Sequence, residues 1–214
     1  ALLFLCSGSV IHALSGEQDL RRMGGLRQKL PWTHATMLVG CLAIAGIPPL
    51  AGFFSKDEIL WSAFRVGGYG RWLWATGALT ALLTAFYMFR LYRMTFSGRF
   101  RGTEEQARHL HESPKTMVVP LQLLALGAIV AGLLGVPPAL GELFGERFRV
   151  PNLIEHFMEP AFAGAHETLR QVFTAVVPGH AVELALMGLS VLTAVAGISP
   201  VSYTHLTLPT KRIV

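Results

Sequence analysis

Residues 46–60 read Gly46-Ile47-Pro48-Pro49-Leu50-Ala51-Gly52-Phe53-Phe54-Ser55-Lys56-Asp57-Glu58-Ile59-Leu60. An apolar helix runs into this stretch, is interrupted by two prolines, restarts, and carries three charged residues into further apolar sequence. Pro48 and Pro49 remove two backbone donors, and Pro48 drives Ile47 out of helical geometry. In lipid, such a break is tolerated only where protein or a water-filled cavity satisfies the freed carbonyls. A lysine just beyond it costs about 2.5–3.5 kcal/mol on insertion scales if it reaches mid-bilayer. A broken helix beside a costly charge points to an ion-handling site rather than a simple anchor.

The surrounding composition sets the class. Of 214 residues, 52% are hydrophobic and only 14% charged, with a mean hydropathy of +0.47, well outside the range of soluble domains. Three runs lack Asp, Glu, Lys and Arg altogether: residues 31–55, 72–89 and 116–141. Each reaches about 18 residues or more, the length at which a spanning helix is the default reading. The expected fold is all-α: a polytopic transmembrane helical bundle with a proline-broken helix near residues 47–50. Spans are expected near residues 1–14, 32–47, 50–66, 71–97, 116–134 and 181–198.

The net charge of +5 is not a nucleic-acid footprint, because the arginines gather at the ends of apolar runs, where anionic headgroups explain them. The partner this implies is the lipid bilayer. Cys6 and Cys41 each stand alone in apolar sequence, which predicts core thiols rather than a disulfide or a metal site. The chain opens at Ala1 inside a hydrophobic run and is expected to be part of a longer one.

Residues 15–31 form a hydrophilic connection turning at Gly24-Gly25. His12, near Ser7 and Ser9, can relay protons, since imidazole titrates near neutrality; the competing reading is a polar helix end. Lys56 and Asp57 are neighbours and point about 100° apart on a helix, so each needs a partner from another helix. These partners are expected from a preceding part of the chain. A lysine stem can also snorkel to the interface.

Trp72, Trp74, Tyr87 and Tyr92 with Arg90 and Arg93 make an aromatic belt with basic anchors. Gly77, Ala78, Ala81 and Ala85 offer a small face for close packing, and Thr80 and Thr84 share a side. Residues 98–115 read as a solvated loop, since the HLHE stretch at 109–112 lacks the other ligands of a metal site. Residues 140–177 read as interfacial amphipathic pieces. Their Glu155, His156, Glu159 and His166, taken with His180 and Glu183, share no metal-site spacing, so no metal is expected. Residues 201–214 break the hydrophobic pattern, resemble translated sequencing-adapter read-through, and are expected to be non-native.

Charge leaves one conflict. Counting residues 32–97 as three crossings puts the loops 15–31 and 98–115 on opposite faces, yet both are basic. Either one loop defies the positive-inside bias or the 50–66 segment does not cross fully.

Two long words then carry a resemblance. GIPPLAGFFSKDEIL at residues 46–60 is similar to the signature of the NuoL-type (subunit 5), antiporter-like subunit of respiratory complex I, the proton-pumping NADH:quinone oxidoreductase. Residues 8–14 (GSVIHAL) and 17–26 (EQDLRRMGGL) resemble the same subunit at the expected spacing upstream. The resemblance covers nearly all of residues 1–200, a later portion of the family's chain. It implies that Lys56 belongs to a line of polar residues along the membrane midplane, that Asp57 lies beside it, and that another functional lysine precedes the ALLFL word. It implies proton translocation coupled to quinone reduction elsewhere, with other complex I membrane subunits as partners. FMN, iron–sulfur clusters and quinone would be held by other subunits, and the location would be a bacterial plasma membrane. No nucleotide-binding glycine motif, cysteine cluster or catalytic triad occurs, so no redox site is expected in this chain. A multisubunit Na⁺/H⁺ antiporter or membrane-bound hydrogenase subunit shares GIPP and the lysine, and a structural scaffold with a snorkelling Lys56 is the reading of another class.

Overall fold

A computed structural model describes residues 1–136, 157–164 and 179–201. Among them the regular structure is helical: α1 Leu2–Ala13, α2 Pro31–Ala45, α3 Ala51–Arg65, α4 Tyr69–Phe96, α5 Glu104–His109, α6 Lys115–Val130, a short α7 at 157–164, and α8 His180–Ile198. A 3-10 turn, Ala131–Gly135, continues α6. The molecule is an all-α bundle of the polytopic membrane type. Among the described residues, three stretches are long and apolar enough to cross a membrane: Tyr69–Phe96, Lys115–Gly135 and His180–Ile198. Most of residues 140–177, and the tail beyond Val201, lie outside the described residues.

The two short helices around the prolines explain the layout. α2 ends before Pro48, at Gly46, whose φ of 84° places it in the left-handed region that glycine adopts without penalty. Gly46 N–H donates to Ala43 O and Ile47 N–H to Leu42 O, the paired bonds of a Schellman C-terminus. α3 restarts at Ala51 and packs its first turn on the last turn of α2.

The 28-residue α4, about 42 Å long, runs antiparallel to both. Its C-terminal half lies along α2, with Cys41 Sγ donating to Met88 O and the Tyr92 hydroxyl bonded to His34 Nε2. Its N-terminal half lies along α3, where a Cβ at Gly77 would meet Leu60 at 2.6 Å and one at Gly70 would meet Ala63 O at 2.0 Å. Two 15-residue helices placed end to end thus match one long one. α8 also packs on α4, where Gly197 sits on Ala85 and the Leu82 carbonyl. The small face read from Gly77, Ala81 and Ala85 is therefore used twice, against α3 and against α8.

The two basic loops meet at the other end of α4. Gly25 N–H donates to Ser97 O, and the Arg101 guanidinium donates to the carbonyls of Leu20, Arg21 and Met94. The loops 15–31 and 98–115 are thus stitched together at one end of the bundle. Gly24 and Gly25 are needed here, because a Cβ at Gly24 would lie 2.4 Å from Arg99 O.

In the same loop the backbone N–H of Asp19 holds the Glu17 carboxyl below its ordinary range, and the Arg21 guanidinium does the same for Asp19. Replacing Arg101 by alanine is expected to speed amide exchange at Leu20–Arg22. Global stability should change by no more than about 1 kcal/mol, because the stitch is exposed.

The expectation of a merely solvated loop at 98–115 fails at Glu112. Its Oε2 accepts from Trp32 N–H at 2.8 Å and Thr33 N–H at 3.3 Å, and its Oε1 accepts from the Thr33 hydroxyl at 2.6 Å. α2 begins with Pro31 and has no cap of its own, so a residue some eighty positions away satisfies its first free donors. Beside it, the Ser9 hydroxyl bonds Thr33 Oγ1 at 2.8 Å and Ser113 Oγ at 2.6 Å in a fully buried contact of α1, α2 and the start of α6.

Candidate functional site at the helix break

In an uninterrupted helix the Ile44 carbonyl would accept from the N–H of residue 48. Residue 48 is proline and has none. The missing donor is supplied from α3, where Lys56 folds back and Nζ donates to Ile44 O at 2.7 Å. The bond places an ammonium at the C-terminal end of α2, where the helix dipole is negative. Lys56 is half-buried and bends toward the break. A Cβ at Gly46 would lie 3.6 Å from Lys56 Cδ, an ordinary contact, so the left-handed φ and not space calls for glycine there.

Two glycines close the break. A Cβ on Gly52 would lie 1.9 Å from Ala43 O. Gly132, in the turn after α6, would meet Pro49 O and Ala51 N at 2.9 Å. α2, α3 and the end of α6 therefore converge through backbone contacts.

Asp57 points the other way, as the neighbour spacing requires. It is 5% exposed, and its Oδ1 lies 3.2 Å from the Ser190 hydroxyl of α8, whose hydrogen it shares with the Leu186 carbonyl at 3.1 Å. Phe53, Phe54 and Met187 pack around the α3–α8 contact. Within this chain each has a partner on another helix: α2 supplies one to Lys56 and α8 one to Asp57. Ser190→Ala removes the Asp57 partner and is expected to cost about 1–3 kcal/mol, read as a lower thermal midpoint of the assembled membrane protein.

His12 stands exposed in the last turn of α1, at the end of the bundle that holds the two loops. Lys56 lies about 22 Å away along α2, counted at 1.5 Å per residue. The structure brings Lys56 and Asp57 onto one short helix and leaves His12 apart from both. Among the described residues, no three His, Cys, Asp or Glu side chains are placed to hold a metal ion.

An open groove of about 530 Å³ lies between α2, α3 and α4, with Lys56, Ser55, Thr76, Thr80 and Thr84 on its wall. The hydroxyls of Thr80 and Thr84 donate to the carbonyls four residues back, and that of Thr76 to Trp72 O and Leu73 O. The threonine hydrogens are thus spent within α4, and the groove is offered acceptor oxygens together with the remaining Lys56 donors.

The site is thus a broken apolar helix with a lysine folded onto the break, in an all-α bundle of the membrane type. Residues 1–84 match the NADH:quinone oxidoreductase/Mrp antiporter transmembrane family. The chain is 42% identical to the NAD(P)H-quinone oxidoreductase chain 5 of Picosynechococcus, an alignment covering 89% of this chain and 31% of that one. It is 40% identical to NADH-quinone oxidoreductase subunit L of Mycobacterium tuberculosis, covering 93% of this chain and 29% of that one. It is 43% identical to NADH-ubiquinone oxidoreductase chain 5 of Marchantia polymorpha, over 66% of this chain and 21% of that one. The chain is similar to this subunit 5 (subunit L) family of quinone oxidoreductase membrane subunits, and it spans about a third or less of the length of these relatives.

Proposed function

We propose that this chain is part of a proton-translocating membrane subunit of an NADH:quinone oxidoreductase, with Lys56 as the residue that takes up and gives up the proton. The observation that carries the reading is the Lys56 bond to Ile44 O at the site of the missing Pro48 donor. A charged amine bonded there completes the helix end, and a deprotonated amine is a poorer donor, so loading and unloading the lysine alters the break itself. Asp57, held by Ser190 on the opposite side of α3, would set the charge balance around the lysine. His12, at the loop face, is the weaker candidate for proton exchange with the surface.

α2 and α3 together make one interrupted crossing, and the groove gives Lys56 access to water or to a neighbouring helix. Arg21, Arg22, Arg27, Lys29, Arg99 and Arg101 all lie on the stitched face, against Arg65 and Arg71 at the far end. The positive-inside rule then sets the two loops toward the cytoplasm of a bacterial plasma membrane. NADH oxidation, with its FMN, iron–sulfur clusters and quinone, belongs to other subunits, and the other membrane subunits are the partners. The family match is shared with Mrp antiporters, but the relatives' names favour the quinone oxidoreductase. The test is proton pumping by a complete complex carrying Lys56→Ala, with NADH oxidation as the internal control. Unchanged pumping overturns the proposal, and pumping that follows a sodium gradient favours the antiporter.

A further inference from the structure

Each hydroxyl has one hydrogen to give, and that fixes the direction of the buried chain beside α2. Thr33 spends its hydrogen on Glu112 Oε1, so Ser9 must donate to Thr33, and Ser113 must donate to Ser9. Three hydroxyls from three segments are thus aligned toward one carboxylate, which also accepts the backbone N–H groups of Trp32, Thr33 and Ser113. A loop residue held by so many donors is a fixed point of the fold.

What it fixes is α2. This helix has no side-chain cap of its own at either end. Its first donors go to Glu112, and its last freed carbonyl goes to Lys56. Carboxylate at the N-terminus and ammonium at the C-terminus both match the helix dipole. A 15-residue helix held at its two ends transmits an axial shift at one end to the other, because helical backbone bonds do not stretch independently. The route from Glu112 to Lys56 is therefore a rigid rod with a charged contact at each end.

We infer that Glu112 is a positioning residue for Lys56: by clamping the start of α2 it sets where the Ile44 carbonyl meets the lysine. The inference rests on the proton-transfer reading of Lys56. It assigns the loop 98–115 a part in coupling that its sequence, distant from the break, does not advertise.

The test compares Glu112→Ala, Glu112→Asp and the exposed control Arg108→Ala in the complete complex. Two readouts are followed: amide exchange along α2, and protons pumped per NADH oxidised. Glu112→Ala is expected to speed exchange both at Trp32 and Thr33 and at Gly46 and Ile47, and to lower the pumping ratio at least two-fold. Glu112→Asp should restore most of both, and Arg108→Ala should change neither. Faster exchange confined to Trp32 and Thr33 with an unchanged pumping ratio overturns the inference, reducing Glu112 to a local cap. So does an effect on Gly46 and Ile47 without any change in the ratio. If Glu112→Ala does not assemble, Thr33→Val takes its place. It removes one of the clamp's bonds while leaving the carboxylate and the backbone donors, and the same outcomes decide. Failure of the underlying reading is recognised separately, because Lys56→Ala would then pump normally.

Discussion

A complete complex carrying Gly52→Ala is expected to lose this subunit from the membrane or to hold it in a destabilised form. One added carbon would sit 1.9 Å from the Ala43 carbonyl oxygen and 2.7 Å from its carbon. Both are backbone atoms inside a helix, so no rotamer change relieves the clash. α3 must move off α2, and Gly132, already in close contact with Pro49 and Ala51, leaves no room on the third side. A loss of about 3 kcal/mol or more is expected, at or above the top of the usual cost of overpacking, because the backbone itself must move. Gly127→Ala is the matched control. Nothing lies within 4 Å of a Cβ there, so alanine should be neutral or stabilise α6 by up to about 1 kcal/mol through helix propensity. Equal subunit content for the two variants would show that the break is not packed as described.

The second large effect is at Lys56. Lys56→Ala is expected to abolish proton pumping through this subunit while leaving a measurable rate of NADH oxidation. It also strips the Ile44 carbonyl of its donor, at a cost of about 1–3 kcal/mol. Loss of pumping alone would therefore not separate chemistry from structure. Lys56→Arg separates them: a guanidinium can still donate to a carbonyl, but it does not give up its proton in a protein. Arginine should recover the thermal stability lost in the alanine variant and recover no pumping. Restoration of pumping by arginine would mean that the charge matters and proton exchange at this residue does not.

The sequence made the break legible because proline acts locally. Pro48 announces a missing donor wherever it stands, and a lysine eight residues later is within reach by helix geometry. The divergence of Lys56 and Asp57 and the small face of Gly77, Ala81 and Ala85 follow from the same periodicity. Their partners were another matter. Ser190 lies 133 residues from Asp57 and Glu112 some eighty from Trp32, and only packing joins them. HLHE at 109–112 looked like an ordinary polar loop because a capping carboxylate and a solvated one are the same residue. The end-to-end match of α2 and α3 against one α4 was hidden for a comparable reason, because apolar length is read segment by segment.

That pairing bears on how the chain enters the bilayer. α2 leaves a carbonyl bare at its end until Lys56 arrives, and α3 begins the lysine, aspartate and glutamate run within its first two turns. Neither is a good passenger alone, because an unpaired carbonyl and an unshielded charge both resist hydrocarbon. α4, long and apolar, is made only after both. The membrane-insertion machinery must therefore keep α2 and α3 sheltered until α4 emerges, then release the three together, so that the most polar part of the subunit is committed to lipid by the helix synthesised last.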